Sequence, residues 1–367
     1  MAELLKDIFS PSFIEVFAKD LKEIYPDFDG VKFSEKVFDK VWESKELKQR
    51  MRHITEVLHT FLPQNYRASA DIICKLVSYY LQNGHGENTL AFCFLPDYIE
   101  LYGIDDLEAS QKAMELITQF ITCEFAVRPF IIKYEKEMVK QMTLWSKHPH
   151  KNVRRFASEG IRPRLPWAMA LPSFKKDPTD ILPILENLKN DSSEFVRRSV
   201  ANNLNDISKD NPEVVIEIFR SWKGISKETD WVIKHGSRTL LKQGDKEVLE
   251  LFGLGHDASI ELSEFQLLED SVKVGNDIYF QFNVKNNSKE NKTIRLEYAV
   301  YFNKANGQLS KKVFKISERE FAEFESLNYK RKLSFKIITT RKYYPGVHKV
   351  AMIANGKEHE SLNFELV

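Results

Sequence analysis

The spacing of apolar residues changes near residue 260, and this change constrains the fold more than any other feature. Before it, apolar side chains recur at helical spacing, as in the run that follows Ser10 and Pro11, a typical N-cap and first helical residue. After it, apolar and polar residues alternate with a period of two. The sequence therefore predicts two domains, a helical one at residues 1–257 and a β-rich one at residues 258–367.

The β-rich half contains short alternating runs separated by turn signals. The apolar residues of four such runs are Ile278, Phe280, Phe282 and Val284; Ile294, Leu296, Tyr298, Val300 and Phe302; Leu333, Phe335 and Ile337; and Leu362, Phe364 and Leu366. Asn306-Gly307 and Asn355-Gly356 are typical of tight hairpin turns. About seven strands in this length predict an antiparallel immunoglobulin-like β-sandwich. The Cys-Trp-Cys core signature is absent, so the term describes the architecture only.

The helical half contains an internal repeat. Residues 153–157 (VRRFA) and 196–200 (VRRSV) match at an offset of 43 residues, and a weaker third copy begins at Trp231. A spacing of about 40 residues with two helices per unit is typical of HEAT repeats. The sequence therefore predicts a HEAT-like α-helical repeat solenoid, with the basic pairs on the helices that line its concave face.

Positive charge is concentrated beside the first repeat copy. The whole chain has a formal net charge of only +1, yet residues 147–176 contain eight basic residues and a single acid, Glu159. Trp167 lies within this basic run. A basic stripe with an embedded indole is what a groove that follows DNA phosphates needs. The alternative is that these arginines are solvated or form salt bridges between repeats.

Other features exclude several classes of protein. The sequence has no uncharged apolar run near the ~20 residues that a membrane helix needs, and its start does not resemble a secretion signal. We therefore expect a cytoplasmic protein that associates with the nucleoid through DNA, with no membrane partner. The three cysteines form no CxxC pair, and the histidines form no ligand set, so we expect no metal. Nothing indicates an obligate oligomer, so we expect a monomer.

Three segments of the helical half resemble a known family. Residues 124–130 (EFAVRPF), 160–167 (GIRPRLPW) and 199–206 (SVANNLND) look like those of AlkC-type DNA glycosylases, which belong to the HEAT-like repeat DNA alkylation repair family. The three segments together are specific, although each alone would be weak. One branch of that family also has a C-terminal immunoglobulin-like domain, so the resemblance extends to both halves of the chain.

The resemblance implies an alkylbase DNA glycosylase that removes small N-methylated bases such as 3-methyladenine from double-stranded DNA. Members of the family are thought to do so without turning the base fully into a pocket, unlike most glycosylases. Position by position, the catalytic carboxylates fall on Glu124 and Asp206, and the active-site aromatic residue falls on Trp167. Neither a metal nor an organic cofactor is required.

Each of these three residues also has a structural interpretation from pattern alone. Glu124 could be a first-turn acid that complements a helix dipole, Asp206 could be a helix-end or capping acid, and Trp167 could belong to the core. Contacts with DNA phosphates are expected from the basic repeat positions. These positions are Arg154, Arg155, Arg162, Arg164, Arg197, Arg198, Lys234, His235 and Arg238.

Two functions from another class compete with the glycosylase. A non-catalytic HEAT-repeat protein that binds damaged or branched nucleic acid would use the same groove, but it would not need both carboxylates. A protein–protein scaffold would leave the basic run unexplained. The glycosylase is expected to be monofunctional, with water as the nucleophile, because no lysine in the matched segments suggests a Schiff base.

Overall fold

The structure is a computed structural model that describes residues 5–84, 90–338 and 341–367, with helices up to residue 251 and strands from residue 260. Short 3-10 turns at Leu5–Ile8, Trp42–Ser44, Leu90–Phe92 and Thr179–Ile181 accompany the α-helices. The α-helices are α1 (Pro11–Ile24), α2 (Gly30–Val37), α3 (Leu47–His59), α4 (Tyr66–Gln82), α5 (Phe94–Tyr102), α6 (Leu107–Phe120), α7 (Val127–Lys133), α8 (Glu135–Trp145), α9 (Lys151–Glu159), α10 (Pro172–Lys176), α11 (Leu182–Leu188), α12 (Glu194–Ile207), α13 (Pro212–Trp222), α14 (Lys227–Gly236), α15 (Arg238–Gln243) and α16 (Lys246–Leu251).

Side-chain caps explain where several of these helices begin. Ser10 accepts a hydrogen bond from the Phe13 amide at 3.2 Å, with Pro11 at the first helical position, as the sequence predicted. Asn65 and Asp106 cap α4 and α6 in the same way. These caps satisfy backbone amides that have no partner within the helix.

The three repeat copies lie on α9, α12 and α14, and α12 packs against both of the others. Their apolar positions, among them Val153, Val196 and Val232, are fully buried between the helices. The arginine pairs occupy the next two positions of α9 and α12, so they emerge beside the buried stripe. No helix in the described ranges is long and apolar enough to cross a membrane.

The C-terminal half contains two sheets. One sheet has the strand order β1-β3-β6, and the other has the order β2-β8-β7-β4-β5. Their strands are β1 (Ile260–Leu267), β2 (Ser271–Val272), β3 (Asp277–Asn286), β4 (Lys292–Asn303), β5 (Leu309–Phe321), β6 (Ser326–Ser334), β7 (Gly346–Ala354) and β8 (Lys357–Leu366). Alternate residues of both sheets form one apolar core, so the predicted helical half followed by a β-sandwich is confirmed.

Two details of the sandwich differ from the prediction. The short pairing of β2 with β8 is parallel, although the other paired strands are antiparallel. The run of Leu333, Phe335 and Ile337 was expected to be one strand, but β6 ends at Ser334. Phe335 is still buried, whereas Ile337 is 82% exposed. The alternation of buried and exposed residues therefore continues for one buried residue beyond the strand, because Phe335 packs in the core.

Contacts divide the chain into two compact units, Met1–Val215 with Ser221–Gly236, and Ile216–Arg220 with Ser237–Val367. The second unit includes residues 237–257, which the sequence analysis assigned to the helical domain. Here α15, α16 and the β7–β8 turn pack together. Gly244 and Gly356 both have positive φ angles, and a Cβ on Gly244 would lie 2.9 Å from the Gly356 carbonyl oxygen. The domain limit at residue 257 stays a prediction.

The two Asn-Gly hairpin turns provide a matched test of this packing. Gly307 (φ 76°) has open space around it, whereas a Cβ on Gly356 (φ 74°) would lie 2.4 Å from Leu249 Cδ1 and 3.2 Å from Gly244 Cα. We expect Gly307→Ala to lower the free energy of unfolding by about 1–2 kcal/mol, the cost of a left-handed alanine. Gly356→Ala should cost about 1–3 kcal/mol more, because it also overpacks the site. Urea titrations measure both losses, and equal losses would contradict the packing.

Histidine burial predicts a pH dependence for the sandwich. His348 is fully buried against the rings of Phe302, Phe335 and Phe364, and this burial lowers the pKa of its imidazole. The unfolded chain takes up a proton near pH 6.5 that the folded chain resists, so the free energy of unfolding should decrease as the pH falls below 6.5.

The variant His348→Phe should flatten this pH dependence. Burial also lowers the pKa of His359 on β8, so the slope should decrease without disappearing. Urea titrations between pH 7.5 and 5.5 measure it. An unchanged slope in the variant would show that His348 does not contribute.

Candidate active site

Glu124 and Asp206 come from different parts of the helical unit. Glu124 lies in the short connection between α6 and α7, three residues before α7 begins, in the turn that leads into that helix. Asp206 lies in the last turn of α12, where its carboxylate pairs with side chains rather than capping the helix. Asp206 is thus a helix-end acid, as its structural interpretation stated, but the carboxylates of both acids pair with side chains of other segments.

The Glu124 carboxylate is held from two sides. The Thr122 hydroxyl donates to Glu124 Oε2 at 2.8 Å, and Arg155 Nη1 donates both to that same oxygen and to Thr122 Oγ1, the latter at 3.0 Å. The Glu124 side chain is 12% exposed. Arg155 also stacks over the ring of Phe195, with its guanidinium carbon 4.8 Å from the ring centre. The carboxylate is thus fixed in place but still reachable from solvent.

The Asp206 carboxylate is more deeply buried and also has two cationic partners. Arg162 donates to Asp206 Oδ2 through Nε at 2.9 Å, with its Nη2 2.8 Å from that oxygen, and Lys209 donates to Oδ1 at 2.9 Å. Burial disfavours the charged form of Arg162, but Glu159 and Asp206 outweigh this effect and raise the pKa of the guanidinium. Arg162 is therefore a fixed cation.

Glu159 joins the two halves of the site. Its Oε1 lies 3.5 Å from Arg155 Nη2 and accepts from Arg162 Nη1 at 2.7 Å, while its Oε2 accepts from the Ser199 hydroxyl at 2.5 Å. Glu124, Arg155, Glu159, Arg162, Asp206 and Lys209 thus form one chain of alternating charge, which we call the carboxylate network. In the sequence, Glu159 stands out only as the one acid of the basic run. Its spacing, four residues after Arg155 and three before Arg162, was the available signal.

Trp167 lies in the segment between α9 and α10, and its side chain is 73% exposed, so the interpretation as a core residue is wrong. Its φ angle of 66° is unusual for a residue other than glycine. The Lys48 ammonium donates to its carbonyl oxygen at 2.7 Å. Phe125, the neighbour of Glu124, is also partly exposed and lies beneath the same ammonium, 6.0 Å from the ring centre.

Buried Arg128 connects the Glu124 region to the segment that carries Trp167. It lies one turn after Glu124 and is fully buried. Its Nε donates to the Met169 carbonyl oxygen at 2.5 Å, and its Nη1 donates to that of Gly160 at 3.1 Å. Burial, with a smaller effect from nearby Arg162, lowers the pKa of this guanidinium to about 10, so it remains charged at neutral pH.

The arginines expected to contact phosphates mostly bind protein groups. Arg154 makes a two-pronged pair with Asp191, and Arg164 makes one with Asp210. Arg197 donates to the Asp191 and Ser192 carbonyl oxygens. Arg198 pairs with Glu194 one turn earlier on α12. Two of these pairs, Arg154 with Asp191 and Arg164 with Asp210, join successive repeats, as the alternative interpretation of the basic residues stated.

The third repeat copy is arranged differently. Lys234 and His235 lie in the last turn of α14, and Arg238 begins α15. The His235 ring stacks on Trp231, with 5.0 Å between ring centres and 7° between the planes. Within the described ranges, no group of three His, Cys, Asp or Glu side chains could hold a metal ion.

Comparisons with known proteins identify both halves. A family model described as "DNA alkylation repair enzyme" matches residues 38–238, and one described as the C-terminal Ig-like domain of the uncharacterised protein YhaZ matches residues 261–367. YhaZ of Bacillus subtilis (strain 168) is 41% identical over 362 residues, or 99% of each chain. The structure of Pseudomonas fluorescens alkylpurine DNA glycosylase AlkC, bound to DNA containing an abasic site analog, matches with a TM-score of 0.92 at 33% identity. It covers all of both chains. The chain therefore belongs to the DNA alkylation repair enzyme family and carries the C-terminal Ig-like domain of YhaZ.

Proposed function

We propose that the protein is a monofunctional DNA glycosylase that hydrolyses the N-glycosidic bond of small cationic N-alkylated bases, of the 3-methyladenine type, in duplex DNA. The observation that carries this proposal is the carboxylate network, which connects Glu124 to Asp206 although 82 residues separate them in sequence. The similarity to AlkC supports DNA as the partner. We further propose that it acts as a monomer on nucleoid DNA in the cytoplasm, without a cofactor.

The chemistry of the lesion matches these groups. Alkylation at N3 or N7 makes the base cationic, so the base is already a good leaving group and needs little acid catalysis. The enzyme must stabilise an oxocarbenium-like sugar and direct water to the anomeric carbon, and carboxylates perform both tasks in glycoside hydrolysis. Glu124 and Asp206 supply these carboxylates, and their cationic partners hold them in position before the substrate arrives.

Trp167 suits a reaction in which the base is not turned fully into a pocket. Its indole is exposed, so it can approach the deoxyribose or the lesion from the protein surface. Stacking on a cationic base adds a cation–π attraction of about 0.5–2 kcal/mol, which an uncharged base does not receive. We therefore assign Trp167 the recognition of the cationic lesion.

Replacing each carboxylate by its amide tests the assignment. We expect Glu124→Gln and Asp206→Asn to lower the rate of 3-methyladenine release from duplex DNA by at least about 100-fold, because the sugar cation loses its counter-charge. The affinity for the same duplex should change by less than about threefold. Glu186→Gln is the control, because Glu186 accepts from the Trp222 indole and takes no part in the network.

Asp206→Asn removes the counter-ion of Lys209 and one of the two counter-ions of buried Arg162, so circular dichroism must first show that this variant is folded. Full release by both amide variants would refute the site. If the unaltered protein released no base from any methylated duplex, the protein would instead be a non-catalytic reader of damaged or branched DNA.

Exposure separates the arginines that can contact phosphates from those that stabilise the fold. The Arg198 side chain is 59% exposed, whereas Arg154 is largely buried against Asp191. We expect Arg198→Ala to weaken DNA binding and to reduce the slope of log affinity against log salt by about 0.9. Arg154→Ala should instead lower the melting temperature, since it leaves a buried aspartate unpaired. The reverse pattern in binding and melting experiments would contradict this division.

A further inference from the structure

The segment that carries Trp167 is held by unusual means. We call residues 163–171, between Arg162 and α10, the tryptophan loop. Its central indole points into solvent, so core packing does not orient it. Within the loop, the Ala168 amide donates to the Leu165 carbonyl oxygen at 3.3 Å, and the Leu171 amide donates to that of Pro163 at 3.2 Å. Buried Leu165 and Leu171 and the pair of Arg164 with Asp210 anchor the ends of the loop. Across the left-handed turn at Trp167 itself, these two long main-chain bonds give only weak support.

Two cations from distant helices bind the carbonyl oxygens of Trp167 and of Met169, two residues later. Lys48 of α3 binds the Trp167 carbonyl oxygen at 2.7 Å, and Arg128 of α7 binds that of Met169 at 2.5 Å. Arg128 also binds the Gly160 carbonyl oxygen at 3.1 Å, so it joins the loop to the end of α9. Charged donors make stronger hydrogen bonds to carbonyl oxygens than neutral ones do.

Arg128 is a costly choice for a purely structural purpose. It is fully buried, and no carboxylate lies within salt-bridge distance of it in the described ranges. A buried cation is normally paired with a carboxylate, because desolvation costs several kcal/mol. Here Nε and Nη1 are directed to the main-chain oxygens of Met169 and Gly160, while the buried Nη2 has no hydrogen-bond partner among the described residues. Because these hydrogen bonds go to the main chain, they hold the loop without contacting the Trp167 side chain.

Lys48 is an exposed lysine with an equally specific contact. Its ammonium also lies over the ring of Phe125, 6.0 Å from the ring centre, so it is close to two exposed aromatic residues of the site. It lies outside the three segments that resemble the AlkC-type glycosylases, 119 residues from Trp167 in sequence. Nothing in the local sequence marks it among the many surface lysines of the chain.

We propose that Lys48 and Arg128 are positioning residues that fix the tryptophan loop and thereby present the Trp167 indole to the DNA. The proposal rests on the proposed function for its kinetic consequences only. We call the contacts of Lys48 and Arg128 with the loop the clamp. The clamp restricts the motion of Trp167 even in the absence of DNA. The competing role for Lys48 is a direct contact with a DNA phosphate, which would affect affinity rather than the orientation of Trp167.

A fluorescence experiment tests the clamp without any catalysis. The Trp167→Phe variant isolates the emission of Trp167 by subtraction from that of the intact chain. In a Lys48→Met background, the Trp167 component should lose anisotropy and become more accessible to iodide, and Lys48→Arg should restore both values. Lys75→Met is the control, because Lys75 pairs with Asp71 on the surface of α4. Equal anisotropy in the Lys48→Met and Lys75→Met proteins would overturn the proposal.

A kinetic experiment then separates positioning from phosphate binding. With 3-methyladenine duplex, Lys48→Met should lower kcat about 10-fold, since small misplacements of a reacting group have large effects on rate. KM and the salt slope of lesion-free binding should remain within about twofold of their original values. Unchanged kcat, or a salt slope reduced by about 0.9 with intact kcat, would overturn the proposal.

The two experiments fail in distinguishable ways. No base release by the intact protein would refute the proposed function, and the anisotropy result would still decide on the clamp. Arg128→Met serves as a second variant, and its folding is checked by circular dichroism. It should lower the anisotropy of Trp167 in the same direction as Lys48→Met. A folded Arg128→Met protein with unchanged anisotropy would remove Arg128 from the proposal.

Discussion

The burial of charge among packed helices is the constraint on which this structure depends. Glu159, Arg162 and Asp206 are all nearly inaccessible to solvent. An ionised group removed from water costs several kcal/mol unless an opposite charge and hydrogen bonds replace the lost hydration. Glu159 lies on α9, Arg162 follows that helix, and Asp206 lies on α12. Each of these buried charges therefore needs its partner from another segment for neutralisation. The same pairing that makes this burial tolerable brings the two carboxylates of the site into one connected arrangement.

This constraint also changes the meaning of the basic run at residues 147–176. Counted along the sequence, the run has a large positive excess. In the folded unit, Glu124, Asp191, Asp206 and Asp210, all from outside the run, pair with its arginines. Much of the apparent DNA-binding charge is thus internal charge compensation. In the proposed function, attraction to phosphates then depends on cations that remain exposed, such as Arg198.

The sequence predicted features that depend on neighbouring residues. The change of period located the helices and strands, Ser10 with Pro11 marked the first helix, and the Asn-Gly pairs marked two hairpins. The sequence could not predict contacts between residues that are distant along the chain. Nothing in the sequence indicates that Glu159 joins the two carboxylates, because its contact with Ser199 forms only when α12 packs beside α9. Nor does the sequence distinguish Lys48 from other surface lysines. The end of β6 was also missed, because Phe335 is buried without belonging to a strand. The spacing of apolar residues indicates which side chains are buried, and buried side chains also occur outside helices and strands.

The site therefore holds its carboxylates and its indole in two different ways. Each way suits the role of that side chain in the proposed reaction. The carboxylates are held by cations through their own oxygens, so they cannot reorient when charge develops on the sugar, as preorganised stabilisation requires. Trp167 is held through its main chain, which leaves its indole largely exposed for the proposed stacking. A residue that had to enter a duplex while packed in a core would lose that packing on binding. Fixing the backbone and exposing the ring avoids this loss, so the attraction between indole and cationic base is retained in full as selectivity for the lesion.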